Sequence, residues 1–440
     1  MLPTVSDLTL QILRHRLWHH WFQGKVASPF RELPSVERAP SLLRRSLQRR
    51  LLRAGWAASL LWFLGLPLLY GLSRLTRLEA RRRYTAQTKA PSTPQGLTIA
   101  VGNLLVGGTG KTPLIIRLAK DLRLQGYQVG VLSRGYKRGG LGLSKRDCVV
   151  LGPDCRSPVT GELLSPEACG DEPWLIALRA GVPVGIGQDR YKAAQSLQQH
   201  FPTINIWLLD DGLSQTSLRP DARILLLDGR GLGNGHCLPY GPLRSEWTKK
   251  LANGWSDSPL DKRNSLSLQP LMLAHPKGTE FKELFEDKGY PAPGRLAISR
   301  SAACWVRLKV SNGSVLSEER LNLEEGCQRF RTSARNLIAA AGIAQPYAFF
   351  ENLTALGLTI QHKLELANHE PRVLQAIQAW VRDEKIPRDS ILLTTEKDAV
   401  KLAWQGAQPA ADGVIEWWAL QLELSIEPSH LEFPYGCKTT

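Results

Sequence analysis

From residue 97 onward the chain alternates short apolar runs with longer stretches whose apolar residues recur at helical spacing. "LTIAVGN" is apolar and rich in β-branched residues, which predicts a strand, and a glycine-rich loop follows it. In "PLIIRLAKDLRLQG" Leu114, Ile115, Leu118 and Leu122 recur at helical spacing, and Gly126 supplies a stop. "YQVGVLSRGY", "GVPVGIG", "TINIWLLDDG" and "DARILLLDG" read as further strands. Short apolar strands separated by helical segments predict an α/β fold, a mostly parallel sheet flanked by helices. Between Trp255 and Tyr290 the pattern turns polar and proline-bearing, which predicts a loop or insertion. A second, smaller α/β unit is expected from about Pro291, carrying "IAAAGIAQPYAFFENLTALGL" and "ILLTTEKDAVKL".

Upstream the pattern is different. Ala54 to Ser73, "AGWAASLLWFLGLPLLYGLS", holds no formal charge over 20 residues. At about 1.5 Å per residue this is roughly the 30 Å of a bilayer's hydrocarbon core. A polar stretch, Thr85 to Gly96, reads as a linker behind it. The chain therefore divides into a basic extension (1–53), an anchor helix with its basic flank (54–84), a linker (85–96), a first α/β domain (97–290) and a smaller C-terminal one (291–440).

Charge sharpens the reading of the anchor. Residues 1–90 hold fourteen arginines and two lysines against four acids, a formal +12 of the whole chain's +16. Arginines crowd both ends of the apolar run, and Trp56, Trp62 and Tyr70 favour a membrane interface. A charge-free run inside a basic arm points to a membrane surface and not to nucleic acid. A buried core helix is the alternative, and the run starts too far from Met1 for a signal peptide. Gly55, Gly65, Pro67 and Gly71 weaken a straight helix, so spanning the membrane and lying in its plane both stay open. Seven scattered cysteines without a C-x-x-C pair argue against a zinc knuckle or a disulfide framework.

The glycine-rich loop, "NLLVGGTGKTP", carries the first chemistry. The strict phosphate-loop pattern wants glycine where Leu105 stands. Its context nevertheless fits, because it leaves a strand and enters a helix. Val106, Gly107, Gly108, Thr109, Gly110, Lys111, Thr112 and Pro113 form the candidate nucleotide cradle. The glycines let backbone N–H groups face phosphate, Lys111 reaches the outer phosphates, Thr112 is placed for Mg²⁺ and Pro113 suits a first helical turn. Asp210 and Asp211, after an apolar strand, are the acids a metal beside that loop needs. Asp-Asp-Gly is also a common turn. Asp171 and Glu172 in "GDEPWL" are either the carboxylates that accept a hydroxyl proton or simply acids favoured at a helix N-terminus.

Read in order, these segments resemble the tetraacyldisaccharide 4'-kinase family, the lipid A 4'-kinases of Gram-negative bacteria. The likeness runs from about Leu60 to Leu402 through "LPLLYGLSRL", "VGNLLVGGTGKTP", "GVLSRGYKR", "GDEPWLIA", "DDGLSQTSLRPD", "GNGHCLPYGPLRS", "ANHE" and "TTEKDAVKL". The family's own loop lacks the first glycine. The resemblance implies a P-loop NTPase-type sheet, an N-terminal membrane-associated helix, ATP and Mg²⁺, and an acylated disaccharide phosphate as the lipid acceptor. It also implies work at the cytoplasmic face of the bacterial inner membrane. Asp171 falls on the family's catalytic Asp, His369 on its histidine partner and Glu172 on an acidic position beside it. Arg134, Arg190 and Arg244 fall where guanidinium forks suit phosphate.

The chain departs from the family pattern at Gln215, at Ser245 after "GPLR" and at Asn368 before the histidine. Two other function classes stay in view: a nucleotide- or lipid-binding membrane protein without turnover, and a P-loop GTPase or metallochaperone. Against the latter, "TTEKD" sets Lys397 directly beside Asp398, unlike the [NT]-K-x-D of guanine readers.

Overall fold

The computed structural model describes residues 5–22, 41–93, 95–135, 147–228, 230–245, 269–273, 296–311, 314–406 and 416–427. Helix α1 (Val5–Phe22) packs against a 49-residue helix, α2 (Ser41–Lys89). Helix α2 contains the whole charge-free run and Pro67, and it continues into the stretch whose polarity suggests a linker. Among the described residues no helix is long and apolar enough to cross a membrane. The lower end of α2 is tied to the body by Gln87, which is fully buried and donates to the Gly212 carbonyl at 2.8 Å.

The body is one sheet. In chain order its strands are β1 (Leu97–Gly102), β2 (Val129–Ser133), β3 (Val149–Leu151), β4 (Val184–Ile186), β5 (Ile206–Asp210), β6 (Ala222–Leu227), β7 (Gln269–Leu273), β8 (Leu296–Ser311), β9 (Ser314–Asn322), β10 (Leu337–Ala341), β11 (His362–Glu365), β12 (Ile391–Thr395) and β13 (Glu416–Glu427). Across the sheet they run β11-β10-β12-β13-β8-β7-β6-β1-β5-β2-β4-β3, with β9 paired to β8. Pairing is parallel except at β3–β4, β8–β9 and β8–β13. The inner strands β2, β5, β10 and β12 are buried along their whole length, the burial that unbroken apolar runs produce when helices cover both faces. Edge strand β11, "HKLE", alternates half-buried and exposed positions, and its charged side chains discourage further strand pairing.

Helices α3 (Lys111–Leu124), α4 (Pro166–Cys169), α5 (Asp171–Ala180) and α6 (Arg190–His200) serve the first half of the sheet. Helices α7 (Leu323–Thr332), α8 (Pro346–Ala355), α9 (Val373–Asp383) and α10 (Glu396–Trp404) serve the second. The halves are not separately cored: Val400 of α10 and Leu424 and Ile426 of β13 join the cluster built on β1, α3 and α5. Strand β7 lies inside the stretch whose polarity suggests only a loop, and it pairs parallel with β6 and β8. The rest of that stretch lies outside the described residues.

Candidate active site

Strand β1 is flanked by β5 and β6 on its two sides, and Val101 lies opposite Asp210. The loop from Asn103 to Gly110 therefore leaves the carboxyl end of a central strand, beside the acids that end β5, where parallel sheets place their ligands. Gly107 and Gly110 adopt φ of 92° and 85°, left-handed conformations that a side chain would strain. Leu105 does not share that requirement. It is fully buried and forms an antiparallel bridge with Leu243. The Val106 N–H donates to the Pro242 carbonyl at 3.0 Å and the Arg244 N–H to the Leu104 carbonyl at 2.7 Å. That rung of extended backbone makes glycine unnecessary at 105.

Arg230 holds the other side of the loop. Gripped by Asp228, it donates to the carbonyls of Val106 at 3.2 Å and Gly108 at 3.1 Å, engaging two oxygens that would otherwise repel an anion. The buried Thr109 hydroxyl has no hydrogen-bond partner among the described residues. Lys111 opens α3 and reaches Asn103 Oδ1 at 3.0 Å and Asp211 Oδ1 at 3.4 Å.

The two acids after β5 behave differently. Asp210 is buried and accepts a hydrogen bond from Ser133 at 2.9 Å; burial, then the charges of Glu172 and Asp211, push its carboxyl up to about 6. Asp211 has φ of 52°, which turns the chain sharply after the strand. Burial opposes its ionisation as well, but Lys111 and Arg244 (3.1 Å) outweigh it and hold the group low.

A second cluster faces this one. Gly170, at φ 93°, turns the chain into α5, and its would-be Cβ would lie 3.3 Å from the Gly135 backbone. Asp171 is thus the first residue of α5. His369 comes from the loop after β11 with φ of 62°, its N–H donating to the Gly342 carbonyl. Its Nδ1 lies 3.2 Å from Asp171 Oδ2 and its Nε2 lies 3.1 Å from Lys397 Nζ. Lys401 meets the same Asp171 oxygen at 2.9 Å, and Lys397 approaches Glu172 at 3.5 Å. Burial works against the Asp171 charge, yet His369 and Lys401 prevail and keep the carboxyl below its usual range.

Both clusters line one cleft of about 900 Å³, together with Arg134, Arg244, Asn368 and Lys397. Glu172 lines it as well. Arg190 does not. Its side chain is buried and directed at the carbonyls of Gly187 (2.6 Å) and Asp210 (3.5 Å), and burial lowers its guanidinium to about 10. It braces the turn at Asp210 and stands outside the residues that line the cleft, unlike Arg134 and Arg244. Lys397, Lys401 and Arg230 escaped the sequence reading. For Arg230 the signal was "LLLDGR", an arginine two residues beyond an aspartate at a strand end. Asp398 is fully buried and accepts hydrogen bonds from the Gly342 N–H and the Thr395 hydroxyl, so it is not available to read a guanine base.

A family model described as Tetraacyldisaccharide-1-P 4'-kinase matches residues 58–254 and 287–433. A tetraacyldisaccharide 4'-kinase of Dechloromonas aromatica is 33% identical over 394 residues, covering 89% of this chain and 96% of the relative. The chain belongs to the tetraacyldisaccharide-1-P 4'-kinase family. One of Polaromonas naphthalenivorans is 34% identical over 375 residues, covering 85% and 89%. LpxK of Aquifex aeolicus, crystallised with ATP, has the same fold at a TM-score of 0.55 and 24% identity, over 81% of this chain and 93% of that one.

In this member of the tetraacyldisaccharide-1-P 4'-kinase family the three departures sit in different places. Gln215 accepts from the N–H groups of Ser217 and Leu218, both at 2.9 Å, and donates to the Leu218 carbonyl, so it builds its own turn outside the cleft lining. Ser245 is half-buried next to Arg244. Asn368 alone of the three lines the cleft. Helix α1 and the start of α2 precede the stretch matched by the family model.

Proposed function

We propose that the chain transfers the γ-phosphate of ATP to the 4'-hydroxyl of a tetraacyldisaccharide 1-phosphate. One observation carries the reading: a P-loop NTPase-type glycine loop and a half-buried carboxylate–imidazole pair face each other across a single cleft. The triphosphate rests on the N–H groups of Gly107–Thr112, with Lys111 on its outer phosphates. Arg134 and Arg244 offer guanidinium forks to further phosphate oxygens, the acceptor's 1-phosphate among them. Asp171 accepts the hydroxyl proton, and His369 orients it.

The residues present fit Mg²⁺. Asp210, Asp211 and the Thr112 hydroxyl stand beside the loop, and the crowding that raises Asp210 is relieved by a cation. Nucleotide phosphates and water would supply the ion's remaining ligands. Bound there, it would neutralise charge developing on the phosphates.

Helix α2 supports a place at the cytoplasmic face of the inner membrane. Leu64, Leu68, Leu75 and Leu78 recur at helical spacing and are each more than half exposed, and Arg74, Arg81 and Arg82 are exposed near them. Such a stripe lies in an interface, its arginines at anionic headgroups, and brings the cleft to an acceptor whose acyl chains stay in the bilayer.

Incubating the full chain with radiolabelled ATP, Mg²⁺ and tetraacyldisaccharide 1-phosphate is expected to label the lipid. Lys111→Ala and Asp171→Ala abolish labelling, the latter while still binding ATP. No transfer by the wild-type chain, or normal turnover by Asp171→Ala, refutes the reading.

A further inference from the structure

Three elements meet at His369: the first turn of α5, the loop after β11 and the first turn of α10. The charged groups they bring are Asp171 and Glu172 from α5, Glu396, Lys397, Asp398 and Lys401 from α10, and Glu370 from the histidine's own loop. Lys401 is also bound to the Glu370 carbonyl at 2.9 Å. The contacts on the imidazole are directional. A lysine ammonium has donors and no acceptor, so the 3.1 Å contact from Lys397 Nζ requires a lone pair on His369 Nε2. Glu172, at 3.5 Å, is the carboxylate opposite that ammonium. With Nε2 bare, the ring proton of a neutral imidazole sits on Nδ1, where Asp171 Oδ2 accepts it at 3.2 Å.

We propose that Lys397 is a positioning residue for phosphoryl transfer: by donating to His369 Nε2 it fixes the neutral Nδ1–H imidazole, so that the acceptor's proton stops on Asp171. This rests on the kinase reading above and specifies which group takes the proton. His369 Nδ1 and Lys401 Nζ both occupy Asp171 Oδ2, which leaves Oδ1 to the cleft that Asp171 lines. The acceptor O–H bond breaks with its proton passing to Asp171 Oδ1. The freed electron pair forms the bond to the γ-phosphorus, and the bond from that phosphorus to the bridging oxygen breaks with its electrons leaving on ADP. The proton then departs from Asp171 to water. Protonating His369 at Nε2 during this step would set an imidazolium donor against an ammonium donor, so the ring stays neutral and acts through orientation alone. The left-handed backbone at His369, held by the Gly342 carbonyl, fixes the ring in the same pose.

The first test is ¹⁵N NMR of the full chain labelled at histidine, with His369 assigned by its loss in His369→Gln. At pH 7 the wild type is expected to show a protonated Nδ1 and an unprotonated Nε2. In Lys397→Met, with no donor left on Nε2, the ring is expected to show both Nδ1–H and Nε2–H forms. The second test is kinetic. Lys397→Met is expected to lower kcat by about 10- to 100-fold with little change in KM for ATP or lipid. Lys397→Arg, which keeps a donor, restores part of kcat and the single Nδ1–H form. An Nε2–H or doubly protonated ring in the wild type overturns the proposal, as does an unchanged kcat in Lys397→Met. A wild-type chain that transfers no phosphate refutes the kinase reading, while the NMR result still decides the tautomer.

Discussion

Leu105 illustrates how one residue is judged by its surroundings. Its side chain fills a closed space between the glycine loop and the Leu243 segment, and its backbone is extended. Leu105→Gly, which restores the strict phosphate-loop pattern, is therefore expected to destabilise the chain by about 3 kcal/mol or more and to lower activity. Denaturant melts and phosphate transfer check this; a more active variant would contradict it. Asp171 allows a pH prediction. Its folded carboxyl is held below the unfolded value, so its charge contributes stability above the unfolded value, and that contribution is lost as pH falls through the folded one. Asp171→Asn leaves the buried Lys401 without its carboxylate and is expected to cost on the order of 3 kcal/mol at pH 7. The gap from wild type should close on acidification below about pH 4, measured by melts across pH.

At the scale of elements, the helix periodicities and unbroken apolar strands told most of what was built. The glycine loop, the strand before it and α3 after it were legible because their signals are local. Strand β7 was not, because five residues in a polar, proline-bearing stretch carry no period of their own and take their conformation from β6 and β8. For α2, the sequence left spanning and surface lying open, and the exposed leucine stripe is where the proposed attachment can be tested. Leu68→Glu with Leu75→Glu is expected to weaken co-sedimentation with anionic lipid vesicles at least tenfold while leaving ATP binding intact. Equal vesicle binding by the double variant would argue that α2 does not carry the attachment.

At the scale of the molecule, the site exists because two halves of one sheet meet. The glycine loop, Asp171 and Asp210 come from the first half, His369 and Lys397 from the second. The halves are pinned together by the ion pair of Arg179 on α5 with Glu396 on α10, which Gln421 of β13 also contacts. Both members of that pair are largely buried, so removing one leaves a charge uncompensated. Arg179→Met is expected to lower stability by about 3 kcal/mol and to reduce kcat more than ATP affinity, because it loosens the Asp171–His369 approach and leaves the glycine loop intact. Calorimetric ATP titration set beside the transfer assay separates the two effects.

The sequence by itself determined the class of fold, the glycine loop, the acids after β5 and, through its resemblance to a family, the pairing of Asp171 with His369. These are carried by short-range periodicity and by motifs whose residues are neighbours in the chain. Only the tertiary structure decided that Leu105 is tolerated through a bridge to Leu243, that Arg190 faces the backbone and not the cleft, and that Lys397 completes the cluster around His369. Each of those depends on contacts between segments 28 to 138 residues apart or on burial, and neither is written in any local pattern.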